Sequence, residues 1–317
     1  MNSKKERMPI HAERAVLDYH DPLDHARMME YIDIMIARYP FLSVSYVGES
    51  ILGRGIPMLT LGEGEKSVLY VGAHHGMEWI TSVLLLRFIN EACELWNNNG
   101  RIFQYSVKYL LSARTLHIVP MLNPDGVEYQ INGVGEDNVL YDRLLSMNGG
   151  SKDFSRWQAN ARGVDLNHNY NSGFADYKRM EMENGILGGA PTRYSGESSE
   201  SEPEVGSLCN YIRYHDRLQM VLTLHTQGEE IYYTCGKKTT PRSRAIAEGL
   251  ANMSGYALNI PKGSAAYGGL TDWCIEELNL PSFTVECGKG INPLPLEDYF
   301  YIYARIRQML FLAPTMI

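Results

Sequence analysis

Cysteine is scarce in this 317-residue chain and badly placed for either of its structural uses. The five, Cys93, Cys209, Cys235, Cys274 and Cys287, are odd in number, widely spaced and without any CxxC pair, so neither a disulfide framework nor a thiolate zinc site organises the fold. They read as reduced, mostly buried thiols. Long apolar runs are missing too: no stretch approaches the ~18 residues a membrane span needs, although 44% of residues are hydrophobic. Positive charge is in deficit. Lys and Arg number 29 against 37 Asp and Glu, a formal net charge of -8, with no basic stripe of the kind a nucleic-acid surface requires. The first fifteen residues are charged and lack an apolar segment, so no secretory signal is visible and a cytoplasmic protein is the expectation. Repeats and low-complexity tracts are absent. One domain is expected over 1–317, with 1–40 as an N-terminal arm and lead-in helix.

What is present reads as alternating helices and strands. Met28, Ile32, Met35 and Ile36 fall at helical spacing before Pro40, which predicts a helix over 24–39. Short strands are expected at 43–47 and 57–61 around Gly53-Arg54-Gly55, and a buried strand at 67–72. A helix follows over 79–96, then a strand over 116–120 leading to Asn123-Pro124-Asp125-Gly126, a turn by composition. Residues 130–160 are rich in Gly, Asn, Asp and Ser with little periodicity; they predict long surface loops, which in a compact protein are often functional. The second half predicts helices over 202–214, 243–253, 269–278 and 295–312, with strands at 220–224 and 282–285. This alternation implies an α/β fold, a largely parallel or mixed sheet with helices on both faces.

Three of the predicted strands lead into residues that do chemistry. Gly72-Ala-His-His-Gly-Met-Glu78 follows the strand at 67–72 and puts His75 and Glu78 three apart, a spacing that lets an imidazole and a carboxylate converge at the start of a helix. Ligands bind outside the carboxyl ends of strands in open α/β sheets. Two such groups can share one zinc ion, and a catalytic zinc takes a third protein ligand while leaving a fourth position to water. His225, ending Val221-Leu-Thr-Leu-His225, is the best candidate for that ligand, whereas His74 is expected to point elsewhere. A proton acceptor is then needed within reach of the water. Glu286, ending Pro281-Ser-Phe-Thr-Val-Glu286, supplies one. Singly, an HxxE pair or a strand-end histidine is commonplace; together the three strand ends make a hydrolase constellation.

These residues belong to a longer series of blocks: Trp79-Ile80-Thr81 after the HxxE pair, Asn123-Pro124-Asp125-Gly126, Gly163-Val-Asp-Leu-Asn167, Gly268-Gly269 before Asp272-Trp273, and Phe283-Thr-Val-Glu286. In this order, from about residue 70 to 290, they resemble the zinc carboxypeptidase family. The resemblance implies a three-layer α/β/α sandwich around a mixed, mainly eight-stranded sheet. It also implies one zinc per chain on His75, Glu78 and His225, peptide hydrolysis with Glu286 as general base, and Arg162 as the donor that polarises the scissile carbonyl. Asp165 is expected to orient a turn or a metal-ligand histidine.

The departures from the family pattern are informative. Where the family has Asn-Arg to grip a terminal carboxylate, this chain has Asn167-His168, and imidazole cannot make an arginine fork. Met77 replaces another substrate-binding arginine, and the family's mobile tyrosine falls on Ser264, with Tyr267 close by. With Tyr267-Gly-Gly and Gly290-Ile-Asn-Pro-Leu-Pro295, these features resemble the bacterial γ-D-glutamyl-L-diamino-acid endopeptidases. That implies a peptide substrate, a cell-wall muropeptide cut between γ-D-glutamate and meso-diaminopimelate or lysine, with Asn167, His168, Tyr267 and Thr271 reading its polar groups. The competing expectations are a conventional carboxypeptidase, an amidohydrolase of the same fold, and a binding protein that has lost catalysis.

Overall fold

The computed structural model describes residues 20–317; the arm expected at the N-terminus falls, up to residue 19, outside the described residues. Ten strands are formed among the described residues: β1 (Ser43–Glu49), β2 (Gly55–Leu61), β3 (Lys66–Val71), β4 (Arg101–Ile102), β5 (Tyr105–Ser106), β6 (Arg114–Val119), β7 (Leu218–His225), β8 (Glu230–Tyr232), β9 (Ala257–Asn259) and β10 (Ser282–Glu286). Eight make one sheet in the order β1-β2-β6-β3-β7-β10-β8-β9, while β4 and β5 form a small separate pair. The centre, β6-β3-β7-β10, is parallel, and antiparallel pairing enters where β2 meets β6 and where β8 meets β10. This is the expected α/β/α sandwich on a mixed eight-stranded sheet.

Side chains of the central strands alternate between two cores, as a period of two dictates. Val68 and Tyr70 of β3, Leu116 and Ile118 of β6, and Met220, Leu222 and Leu224 of β7 share a core with α1 (His25–Arg38), α2 (Ile80–Asn97), α8 (Ser243–Ser254) and α10 (Tyr299–Leu312). Leu69, Val71 and Val221 face α7 (Pro203–Arg213) and α9 (Leu270–Leu278) on the other side. Burying each such aliphatic side chain is worth ~1.5–3 kcal/mol, so strands sealed on both faces are fixed in register and their ends are fixed with them. Tyr70 adds a tie by donating its hydroxyl to the Leu310 carbonyl at 2.8 Å. Among the described residues no helix is long and apolar enough to cross a membrane.

Two sequence expectations change. Asn123-Pro124-Asp125-Gly126 opens a helix, α4 (Pro124–Asn132), and does not form a turn: Asn123 Oδ1 accepts the Gly126 N–H at 2.9 Å and proline takes the first helical position, where its missing N–H costs nothing. The 130–160 stretch contains α5 (Tyr141–Met147) and its own small core of Tyr129, Leu144, Phe154 and Trp157. The three-residue strands β8 and β9 and α6 (Phe174–Glu183) had no periodic signal long enough to read. The remaining helix, α3 (Val107–Ala113), leads into β6.

Candidate metal centre and substrate cleft

The chain leaves β3 at Val71, passes through Ala73 at φ 46, and turns at Gly76–Glu78 into α2. Backbone bonds tie this turn to its neighbours: Gly72 N–H to the Val119 carbonyl at 2.9 Å, Asn123 N–H to the Ala73 carbonyl at 3.0 Å, and Gly76 N–H to the Gln158 carbonyl at 2.9 Å. Gly76 must be glycine, since a Cβ there would meet the Gly126 carbonyl oxygen at 2.4 Å. The consequence is a rigid platform for two side chains. His75 Nδ1 lies 2.9 Å from Glu78 Oε1, and His225 Nδ1 lies 3.1 Å from Glu78 Oε2 and 3.3 Å from His75 Nδ1. One donor atom from each of the three residues falls within 4.8 Å of the others, all buried.

The protonation chemistry shows what this cluster fits. His75 Nε2 stands 3.1 Å from Asp165 Oδ1, and an ionised carboxylate only accepts, so Nε2 carries the proton and the neutral ring turns its Nδ1 lone pair inward. That lone pair, the Glu78 carboxylate and His225 Nδ1 then face one another, an arrangement that repels unless a cation lies between them. Without one, a proton does the job: burial opposes it, but the charges of Glu78 and Asp165 hold the His75 imidazolium well above its ordinary range. Two imidazole nitrogens and a carboxylate are a catalytic zinc donor set. Outer partners hold Glu78 in place: the Thr226 N–H donates to Oε2 at 3.2 Å and Asn292 Nδ2 to Oε1 at 3.3 Å. His74 points away, with Nε2 2.9 Å from the Tyr170 hydroxyl and Nδ1 3.2 Å from Thr223 Oγ1.

Glu286 lies beside the cluster by sheet register: β10 and β7 run parallel with Glu286 paired to His225, so the two residues sit one strand spacing apart, about 4.8 Å. It lines the same cavity as His75, Glu78 and His225. Burial pushes its carboxyl up to about 8, with the charge of Glu78 adding and His75 opposing; a cation at the donor set would pull it back down.

Two compartments meet over this centre. The inner one carries Asn167, His168, Tyr232, Thr234, Thr271, Asp272 and Thr284 beyond the metal cluster; the outer one, bordered by Met77, Arg156, Gln158, Asp165 and Arg193, shares His168 and Ala265 with it. His168 is clamped: its ring stacks on Tyr177 with centroids 4.0 Å apart, and Nδ1 is 2.8 Å from the Tyr267 carbonyl. That carbonyl needs a donor, so Nδ1 bears the proton and Nε2 is left as an acceptor. Burial keeps the ring below its ordinary range despite the nearby Asp165. Thr271 and Thr284 share a 2.7 Å hydroxyl contact, and the Thr234 hydroxyl is buried without a partner. Asn167 Oδ1 accepts the Leu270 N–H at 3.2 Å.

Two sequence-predicted residues lie elsewhere. Arg162 is half exposed in a separate cavity with Glu202, 3.8 Å from its carboxylate. Asn160 causes this by accepting the N–H groups of both Arg162 and Val164 in a tight turn that aims the arginine outward. The side chain of this segment that reaches the cleft is Gln158, whose Nε2 donates to Asp165 Oδ2 at 3.3 Å. Tyr267 contributes its carbonyl to His168 while its ring packs over Gly173, whose hypothetical Cβ would meet it at 2.5 Å; Ser264 borders the outer compartment instead. Gln158, Asn292 and Thr234 escaped the sequence reading. Of these, Asn292 had a usable signal, its place in the Gly290-Ile-Asn-Pro-Leu-Pro295 block.

A buried two-histidine, one-carboxylate set with a second acid alongside, at the carboxyl ends of parallel strands, defines a zinc hydrolase. Comparison with known proteins narrows the class. The zinc carboxypeptidase profile, peptidase M14, matches residues 28–302, and the chain belongs to that family; it is a zinc metallopeptidase. It is 35% identical over 283 residues to γ-D-glutamyl-L-diamino acid endopeptidase 1 of Lysinibacillus sphaericus, covering 88% of this chain and 69% of that protein. Human carboxypeptidase A1 is 23% identical over 279 residues, 81% of this chain and 60% of that one. Among solved structures, carboxypeptidase A from Helicoverpa armigera superposes with a TM-score of 0.70 at 19% identity, covering 94% of this chain and 74% of the other.

Proposed function

We propose that this metallopeptidase hydrolyses the amide between γ-D-glutamate and a diamino acid, meso-diaminopimelate or lysine, in cell-wall-derived peptides. The observation that carries the reading is His168. A carboxypeptidase grips the terminal carboxylate of its substrate with a cation, whereas His168 is held neutral by burial and offers an accepting Nε2, so the charge-assisted bond of ~1.5–3 kcal/mol is absent. The inner compartment suits a polar arm: Thr234, Thr271, Thr284 and Asp272 line it, and burial lifts the Asp272 carboxyl to about 7. A lysine or diaminopimelate side chain supplies the donors these groups lack. The similarity to the Lysinibacillus endopeptidase supports the same bond.

In this reading His75, Glu78 and His225 hold one zinc, and Asp165 fixes the tautomer and tilt of His75. When bound there, zinc would supply Lewis-acid polarisation of the scissile carbonyl and acidification of the attacking water. Glu286 takes that water's proton and returns it to the leaving nitrogen as the amide opens. The test is a digest of matched peptides followed by mass spectrometry: L-Ala-γ-D-Glu-meso-diaminopimelate should be cut at the γ-D-Glu bond far faster than α-linked peptides ending in Phe or Lys are trimmed. Equal or faster trimming of the α-linked peptides would make this an ordinary carboxypeptidase.

A further inference from the structure

Two guanidinium groups stand in the outer compartment with no acid of their own. Arg156 and Arg193 both border it and both are exposed, and neither side chain has a hydrogen bond or ion pair among the described residues. Arg54, Arg213, Arg244 and Arg307, by contrast, each have a carboxylate partner. The one carboxylate in the compartment, Asp165, is already committed, Oδ1 to His75 and Oδ2 to Gln158 and to the Arg193 N–H at 3.1 Å. Arg193 is also held at φ 67, a left-handed conformation that a non-glycine residue adopts only when its surroundings impose it. Its N–H is pinned by Asp165 and its carbonyl accepts the Tyr177 hydroxyl at 3.0 Å. The partners that fix His75 and His168 therefore also fix the root of this arginine.

The geometry points to an anion subsite formed by Arg193 and Arg156 that receives the α-carboxylate of the γ-linked glutamate. The inference rests on the function proposed above. With the leaving diamino acid in the inner compartment, the acyl side of the scissile bond extends into the outer one. A γ-linked glutamate carries its free α-carboxylate on that side, whereas an α-linked residue with an uncharged side chain offers two guanidiniums nothing to bind there. The two arginines thus read that free carboxylate, by charge-assisted, fork-like hydrogen bonds.

The experiment uses zinc-loaded protein and two peptides, L-Ala-γ-D-Glu-meso-diaminopimelate and the same peptide with the glutamate α-carboxylate converted to a carboxamide. Wild type should favour the carboxylate form by about tenfold or more in kcat/KM, mainly through KM, and the preference should shrink with added salt. Arg193→Gln/Arg156→Gln should cleave the two peptides within about threefold of each other while retaining its zinc. A wild type indifferent to the carboxamide, or a double variant that keeps the preference, overturns the subsite while leaving γ-bond cleavage intact. If wild type cuts neither peptide, the function proposed above fails and the subsite with it.

Discussion

Asp165, buried, and Glu286, half-buried, are acids at one centre, and their variants separate positioning from proton transfer. Asp165→Asn removes the carboxylate charge and, with the amide oxygen kept by Gln158 and the Arg193 N–H, turns an N–H toward His75 Nε2, so zinc affinity should fall ~10–100-fold, read by competition with a chelator; unchanged affinity would show that the tautomer is set elsewhere. Glu286→Gln keeps the shape and the metal but removes the proposed base, so kcat should drop ~100-fold or more with zinc retained. Activity within a few-fold of wild type would remove Glu286 from the chemistry. Arg162→Ala, on a side chain turned toward Glu202, should leave kcat within about threefold. A large kcat loss would mean that the arginine swings into the cleft. The contrast marks what sequence can and cannot say about a residue. His75, Glu78, His225 and Glu286 were legible because each follows or ends an apolar strand, whose pleat fixes where the next side chain goes. Arg162 was not, because in the 157–165 turn the direction is set by Asn160, a contact that spacing does not encode.

At the scale of elements, the long segments were legible and the short ones were not. Helices such as α1 declare themselves by Met28, Ile32 and Met35 on one face and by Asp24 capping the Arg27 N–H at 2.9 Å, whereas β8 and β9 are too short for any period to show. Asn123-Pro124-Asp125-Gly126 misled because the residues that favour a turn also favour a helix start. One pairing makes a pH prediction. His117 of β6 pairs with Thr60 of β2, Nδ1 to Oγ1 at 3.1 Å, and burial, then repulsion from His215, lowers its pKa from 6.5 to about 4. The folded state then binds fewer protons than the unfolded one between those values, so His117 makes stability fall as pH drops from about 6.5 to 4. His117→Gln, which keeps a hydrogen-bonding side chain, should lessen the loss of melting temperature over that range, measured by circular dichroism on zinc-free protein to remove metal loss from the reading. An undiminished loss would assign the acid sensitivity to other groups.

On the scale of the whole molecule, the chemistry hangs from the sheet while the recognition hangs from what surrounds it. The layering was readable because alternating helix and strand patterns admit few architectures, but the cleft's two compartments depend on segments from 154 to 168, 191 to 193 and 261 to 269 meeting across the surface, which no local pattern reports. The β7–β10 register, Glu286 beside His225, has a consequence for how such a protein can change. Because neighbouring positions on a strand face opposite sides, one extra residue before Glu286 inside β10 would turn the acid to the wrong face. Such an insertion should abolish turnover while sparing much of the zinc, and an insertion at 135–137, in the surface loop after α4, should do neither. An active β10 insertion would mean that the strand can bulge and restore its phase. Drift among descendants of this sequence is therefore channelled: length can vary around the mouth, where it alters which peptides enter, but the strands behind it are closed to insertion, so new specificities arise around an unaltered reaction.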